Sequence, residues 1–589
     1  MATPASSRWI NLLGLGVLVF CYLGALVNVF RIQRDELTHD TIRIVHWQLE
    51  SGVRDGVTEM IRRFEAHMVK TGRRVRVVQI LIPEGAYKQY VTTQTIGRTA
   101  PDLVELGRFP GEFYGRYFLP LSDVLKEPNP LVADRIVEFE KEAATNATAA
   151  AWIEPYSKLR DLPWIESFTD GLRTQFREEA QEYFGVGFSQ FTVRIFYNKK
   201  IFRAALGSTE PPAAFEELLE VSRRIRAYAE ESGQDIVPIA SADYQTGIFK
   251  DRFLTALTAD LALRFDVDLD GNCSEDETVA ALLTGEWTPE DEQYRSALAM
   301  LRELSSFFPR GFMSFGRMDS AFSFIQGKAA MITSGSWDAK SYLSNIENQS
   351  PEQRFDVGIF DFPLIGPDDP KYGAYADGRA TEANTGTGFA FGMTRFSRHQ
   401  DLCIEFLQFC TLPENNTVLN AHAQWIPSVR GARTTPMLSA FEPDFSGYWQ
   451  RMHFGTGERG TMVERQVFWP FISGEIDYEE YASRLMKELP DSAAVDFARR
   501  YRAARESVPE LNGRRSAYLA AQALAKSEEA RSGYRIKLLR TWDQLMGYET
   551  KQARTNALLD HTKRQIEAIG DISAFNRKFQ PQLKRELGL

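Results

Sequence analysis

Between residues 41 and 107 the chain reads strand, helix, strand and then a third, shorter strand. This order narrows the fold more than any other feature. TIRIVHWQLE (41–50) and RRVRVVQILI (73–82) are rich in β-branched residues, whereas GVTEMIRRFEAHM (56–68) spaces its apolar residues as one helical face. TAPDLVELG (99–107) supplies the third strand, entered through Pro101. Strands joined through a helix build a parallel sheet with crossover helices, so the class is α/β. Further along, EPPAAFEELLEVSRRIRAYAEESG (210–233) opens on prolines and closes on Gly233, as a helix does. A chain of 589 residues is long enough for more than one core. The Gly-, Pro- and Asp-rich segment 363–388 is long for a plain turn, which makes it a functional loop or a crossing between two bodies. From about residue 490 the texture becomes rich in Ala, Arg and Lys with helical periodicity, which predicts a helical C-terminal extension over 490–589.

The N-terminus carries a second kind of signal. Trp9 to Phe30 is uncharged and mostly apolar, and as a helix it would span about 33 Å, enough for a bilayer. No A-x-A cleavage site follows it, so the expectation is an uncleaved signal anchor within residues 1–35. Arg8 on one side and Arg31 and Arg34 on the other leave its orientation unassigned by charge. The net charge of −10 argues against a nucleic-acid partner. The four cysteines show no disulfide framework or zinc spacing: Cys403 and Cys410 sit about 10 Å apart along one predicted helix. The sequence has no G-x-S-x-G, H-E-x-x-H or P-loop, and its seven histidines form no metal-spaced cluster. A binding protein is therefore expected rather than an enzyme, although a carboxylate pair of the glycosidase kind is the minor alternative.

Residues 266–277, D-V-D-L-D-G-N-C-S-E-D-E, fit the calcium-loop spacing position by position. Calcium takes six to eight hard oxygens. Asp266, Asp268 and Asp270 occupy the first three ligand positions and Gly271 the sharp turn. Asn272 offers its carbonyl, Ser274 a direct or water-mediated oxygen, and Glu277 both carboxylate oxygens. Helical spacing flanks the loop on both sides, and Cys273 departs from the usual β-branched apolar residue. With no second loop in the chain, the expectation is a structural calcium site and not a paired switch. An acidic solvated turn is the bland alternative.

Six stretches then align, in order, with one family. TIRIVHW (41–47), APDLVELGRFPGEFYGRYFLPLSDVL (100–125), the segment 185–225 with Tyr197, Asn198, Lys199 and Phe202, FSFIQGKAAMITSGSW (322–337), the Gly-rich strand and helix of 384–419, and AQWIPSVRGA (423–432) resemble the extracytoplasmic solute-binding proteins of carbohydrate ABC importers, the maltose-binding-protein-like group. The resemblance covers about residues 40–490. It implies a periplasmic-binding-protein-like two-lobe fold of type II with a ligand cleft between the lobes. The implied order is lobe 1 over 41–186, lobe 2 over 187–365 including the calcium loop, a return to lobe 1 over 366–425, and a return to lobe 2 over 426–489.

A sugar cleft wants exposed aromatic rings beside polar rims. The candidate contacts are Trp47, Gln48 and Glu50 after the first strand, Glu105 and Arg108 after the third, and Ser189 and Gln190 beside a crossing. Trp337, Trp425 and Asn384 join them, with Tyr244 where the resemblance implies a stacking ring. For each tryptophan the alternative is a packed core residue. The family resemblance implies a carbohydrate ligand, ABC permease subunits as partners, and a body held outside the cytoplasmic membrane by the anchor. A ligand-sensing or assembly subunit with the same fold is the alternative.

Overall fold

The first strand pairs in parallel with its neighbours on both sides, as the strand–helix–strand order predicts. β1 (Asp40–His46) sets Ile42 opposite Val77 of β2 (Val75–Leu81) and Ile44 opposite Leu103 of β3 (Leu103–Glu105). The coordinates are a computed structural model. It describes residues 40–568 except 50, 108, 110, 178, 179, 181, 268, 270, 364, 377 and 383–385. The crossover helix α1 (Ser51–Lys70) buries Val53, Val57, Met60, Phe64 and Met68, one stripe at helical spacing, against the sheet.

Two sheets form the body. The first adds β4 (Val186–Gln190), β9 (Thr387–Met393) and β10 (Ile426–Pro427), in the order β10–β4–β9–β3–β1–β2. The second contains β5 (Val193–Asn198), β6 (Val237–Ala240), β7 (Ala329–Gly335) and β8 (Val357–Phe360), in the order β8–β5–β7–β6. β9 runs antiparallel to both β3 and β4, and β7 runs antiparallel to β5 but parallel to β6. β4 and β5 are neighbours in sequence and belong to different sheets, so the chain passes from the first lobe to the second at Phe191–Thr192. It returns through 361–386 to β9, and leaves the first sheet again after β10. Apolar residues cover both faces of each sheet, Ile42 and Ile44 on one side of β1 and Val45 on the other.

The second lobe is completed by helices. α2 (Asp243–Leu257), α3 (Glu275–Thr284) and α4 (Glu292–Ser305) pack with α5 (Glu458–Ser473) and the first part of α6 (Tyr478–Leu524). Tyr481, Leu485, Leu489 and Phe497 lie in this core, so α6 begins inside the lobe and only its later part leaves it. α7 (Glu528–Ala568) returns along α6 as a helical hairpin. Its base is held in the second lobe by Leu558 in the core and by Arg500, whose guanidinium pairs with Glu275 (2.7 Å) and Asp276 (2.6 Å). Its tip reaches the first lobe. Arg540 Nη2 lies 3.3 Å from Asp123 Oδ2, and Gln544 Nε2 stands beside Gly115. No helix among the described residues is long and apolar enough to cross a membrane, and the run 9–30 lies outside them.

Candidate ligand cleft

Parallel strands aim their carboxyl ends the same way, and the residues just beyond β1 and β3 meet there. Glu105, the last residue of β3, is fully buried. Its carboxylate accepts hydrogen bonds from Trp47 N (3.0 Å) and Gln48 Nε2 (2.9 Å). Tyr87 OH donates to the Glu105 carbonyl (2.8 Å), and its ring meets Trp47 edge to face at 4.8 Å. Gly107 adopts φ +132°, which favours glycine, and a Cβ there would sit 3.5 Å from Trp47 Cη2. The half-buried Trp47 ring is therefore held between Tyr87 and the Gly107 backbone, with its own backbone fixed by Glu105. His46, beneath it, accepts from Gln79 Nε2 (2.8 Å), and burial lowers its pKa to about 4, so the ring is neutral at pH 7.

The second lobe presents the ends of β6 and β7. Tyr244, 37 % exposed, lies after β6 with the Arg317 guanidinium 5.0 Å from its ring centre. Arg317 Nη2 forms short hydrogen bonds to both oxygens of Asp338 (2.7 and 2.6 Å), and Ser334 Oγ and Tyr342 OH also donate to that carboxylate. Burial raises the Tyr244 hydroxyl pKa against the opposing effect of Arg317. Asp338 and Glu84 raise it further, and Glu84 belongs to the first lobe. Gly52, just after β1, stands against Lys340, just after β7, so the two lobes meet here, with Trp47 belonging to one and Tyr244 to the other.

The floor is the crossing. Phe191 packs edge to face on Trp337 (5.7 Å) and Trp425 (4.9 Å). Lys340 of the second lobe donates to the His422 carbonyl of the first (2.6 Å). It fits because Gly52 has no side chain: a Cβ there would come 2.1 Å from Lys340 Nζ.

Trp47, Gln48 and Glu105 thus share one corner, with Tyr244 opposite and Trp337 half-buried at the floor. Trp425 is 3 % exposed and enclosed by Phe191 and Phe389. Ser189 is buried, donating to Asn420 Oδ1 (2.7 Å), and the buried Gln190 donates to Thr169 Oγ1. Glu50, Arg108 and Asn384 lie outside the described residues. Sequence reasoning missed Glu84, Arg317, Asp338 and Lys340. Asp338, directly after Trp337 in the GSW segment, was the one that sequence position could have flagged.

The acidic loop is a separate feature. Gly271, at φ +91°, donates its N–H to Asp266 Oδ2 (2.7 Å). Glu277 caps α3 from inside, with Oε1 accepting from Val267 N (2.6 Å) and Oε2 from Ser274 N (2.8 Å). Cys273 pairs its backbone with the segment around Met452, its N–H reaching the Arg451 carbonyl (3.0 Å). Asp268 and Asp270 lie outside the described residues. Among the described residues no three His, Cys, Asp or Glu side chains converge as a metal site.

A two-lobe α/β body with a cleft across facing strand ends matches the family profile described as bacterial extracellular solute-binding protein over residues 53–417. The chain belongs to that family. Membership implies an extracytoplasmic body for this bacterial extracellular solute-binding protein. No curated protein matches the chain. Among solved structures it is similar in fold to a chitin oligosaccharide binding protein (15 % identity, TM-score 0.50, covering 77 % of this chain and 99 % of that one). It is likewise similar to the GacH receptor of Streptomyces glaucescens, solved unliganded and with acarbose (15 %, 0.51, 76 % and 96 %). A third is the cyclic alpha-maltosyl-1,6-maltose binding protein of Arthrobacter globiformis (14 %, 0.50, 77 % and 99 %). Each of those folds is covered almost whole, whereas this solute-binding protein has further chain beyond the match.

Proposed function

We propose that this solute-binding protein is anchored to the membrane by residues 9–30, captures an oligosaccharide between Trp47 and Tyr244, and presents it to the permease of an ABC importer. The observation that carries the reading is the pair of opposed walls. Each offers an aromatic ring beside fixed polar groups, Gln48, held by the buried Glu105, on one side and Arg317 and Asp338 on the other. A sugar shows an apolar C–H face and a rim of hydroxyls, and this arrangement complements both. The names of the solved neighbours, which bind oligosaccharides, support the same class of ligand. Binding here is non-catalytic: the ring pair and its hydrogen-bonded rim hold a ligand without a nucleophile being needed.

Calcium at 266–277 is part of the proposal, as a structural ion. Asp266, Asp268, Asp270, Asn272, Ser274 and Glu277 would hold it. Gly271 makes the turn such a loop requires, and Glu277, whose two oxygens accept from Val267 N and Ser274 N, would exchange these bonds to hold the ion. The ion would supply charge neutralisation to carboxylates that otherwise repel one another.

The test is a thermal-shift screen of the protein against mono- and oligosaccharides. A ligand of the native state at a hundred times its Kd adds about 2.7 kcal/mol, a rise readily seen. If no saccharide raises the midpoint, the sugar reading is wrong. The alternative, a ligand-sensing or assembly subunit, draws on the hairpin that touches both lobes. It predicts saccharide binding with no loss of uptake when the protein is removed.

A further inference from the structure

The tip of the C-terminal hairpin is both apolar and basic, in a chain that is acidic as a whole. On α7, Ile536, Leu539, Trp542 and Met546 are 43–58 % exposed. They follow one another at intervals of three or four residues, so they form one stripe. On α6, Leu519 and Leu524 are exposed beside the same turn. The stripe is not the face that meets the first lobe, which is occupied by Arg540 and Gln544, nor the one that packs on α6, where Thr541 and Leu545 are buried. Residues 511–546 hold seven Lys or Arg against three Asp or Glu, a net of +4, while the whole chain carries −10. The basic groups surround the stripe. Arg515 lies 4.8 Å from the Trp542 ring centre, and Arg531, Arg535 and Lys537 are exposed.

We propose that this tip docks on the surface of an anionic lipid bilayer. A helix that sets large apolar side chains and tryptophan on one flank and Lys and Arg around them lies in the plane of a membrane interface, drawn by anionic headgroups and held by apolar burial. Charge decides against the other occupants. Two tips meeting face to face would set +4 against +4. Residues 569–589, which follow α7, hold four Lys or Arg against two Asp or Glu and would add positive charge to positive charge. The inference does not depend on the sugar reading, because none of the stripe residues belongs to the cleft described above.

The experiment uses the full chain with Met546→Cys carrying an environment-sensitive fluorophore. Cys273, Cys403 and Cys410 are buried, and labelled wild type corrects for Cys21. The protein is combined with phosphatidylcholine vesicles with and without phosphatidylglycerol. The expected result is a blue shift with the anionic vesicles that is absent with neutral ones and reversed by salt. Arg531→Gln/Arg535→Gln should lower the ratio of docked to free tip about thirty-fold at low salt, at about fivefold per basic residue. Leu539→Glu/Trp542→Glu, both exposed and thus tolerated by the fold, should abolish the shift. An equal shift with neutral vesicles, or none with anionic ones, overturns the proposal. So does a label already blue-shifted without vesicles, which assigns the stripe to another part of this chain, or one whose shift follows protein concentration, which assigns it to a second copy.

Discussion

Replacing Glu382 by alanine should cost the second lobe about 3 kcal/mol, at the lower end of the penalty for stranding one partner of a buried ion pair. Arg194, on β5, and Glu382, on the segment returning to the first lobe, are 3 % and 1 % exposed. They form a bidentate pair, Nη1 to Oε1 at 2.7 Å and Nη2 to Oε2 at 2.9 Å. Arg194 also donates to the carbonyls of Ala440 and Glu442, and Asp444 N donates to Glu382, so the pair ties together three passages of the chain. In Glu382→Ala the guanidinium keeps those carbonyls and Asp361 at 3.4 Å, which is why the low end of the range applies. For a lobe of this size, 3 kcal/mol lowers the midpoint by about 6–12 °C. Scanning calorimetry is the assay, because two lobes need not melt as one unit. The double variant Arg194→Met/Glu382→Leu should recover most of the loss, giving a coupling energy of about 2 kcal/mol. The sign with pH is fixed as well. Burial would raise the Glu382 pKa, but the bonds from Arg194 outweigh it and hold it below the usual carboxylate range. The stabilisation is therefore complete above the ordinary Glu pKa and is lost as pH falls through the depressed folded value, so the single variant should show a flatter acid limb. A Glu382→Ala protein within about 1 kcal/mol of wild type would refute the pair as a structural tie.

Three further outcomes are expected. His46, lowered to about 4 from 6.5, makes stability fall as pH drops from 6.5 towards 4. About 2 kcal/mol should be lost between pH 7 and 5, and His46→Gln should remove that part of the slope in thermal melts. Tyr244→Ala should weaken oligosaccharide binding about fivefold by calorimetry, the loss of one ring contact of about 1 kcal/mol, with little change in midpoint because the side chain is part-exposed. Chelation should lower the midpoint of wild type. Asp266→Ala/Glu277→Ala should be less stable from the start, since Glu277 caps α3, and should not respond to chelator. An equal response in both would count against the loop as the calcium site.

The fold was legible where periodicity is strong. The strand, helix and strand of 40–81 lie within a few residues of their expected limits, because one face of α1 and both faces of β1 must be apolar. The change of sheet at Phe191–Thr192 was not legible to the residue, since no glycine or proline lies between the strands and β4 and β5 are alike in mixing apolar and polar residues. The final helices show why texture and boundary differ. Composition shifts near 490, but α6 starts at Tyr478 because its first turns still face the second-lobe core. In the cleft, Trp47 and Glu105 could be picked out because they stand at the carboxyl ends of parallel strands. Glu84 and Arg317 could not, since they begin helices and come to the cleft only by tertiary packing. Trp425 and Trp337 look alike in sequence, and the packing around Phe191 alone makes one enclosed and the other half-open.

Rooted in one lobe and resting on the other, the hairpin works as a lever. From Asp496, near where it leaves the core, to Leu524 at the turn it runs about 42 Å. A relative lobe rotation of about 10° therefore slides its far end by roughly 7 Å over the first lobe. The part-exposed Arg540–Asp123 pair adds little resistance, whereas at the root Leu558 is packed into the second-lobe core. A small rotation at the cleft is thus written as a larger displacement at the solvent-facing end of the hairpin.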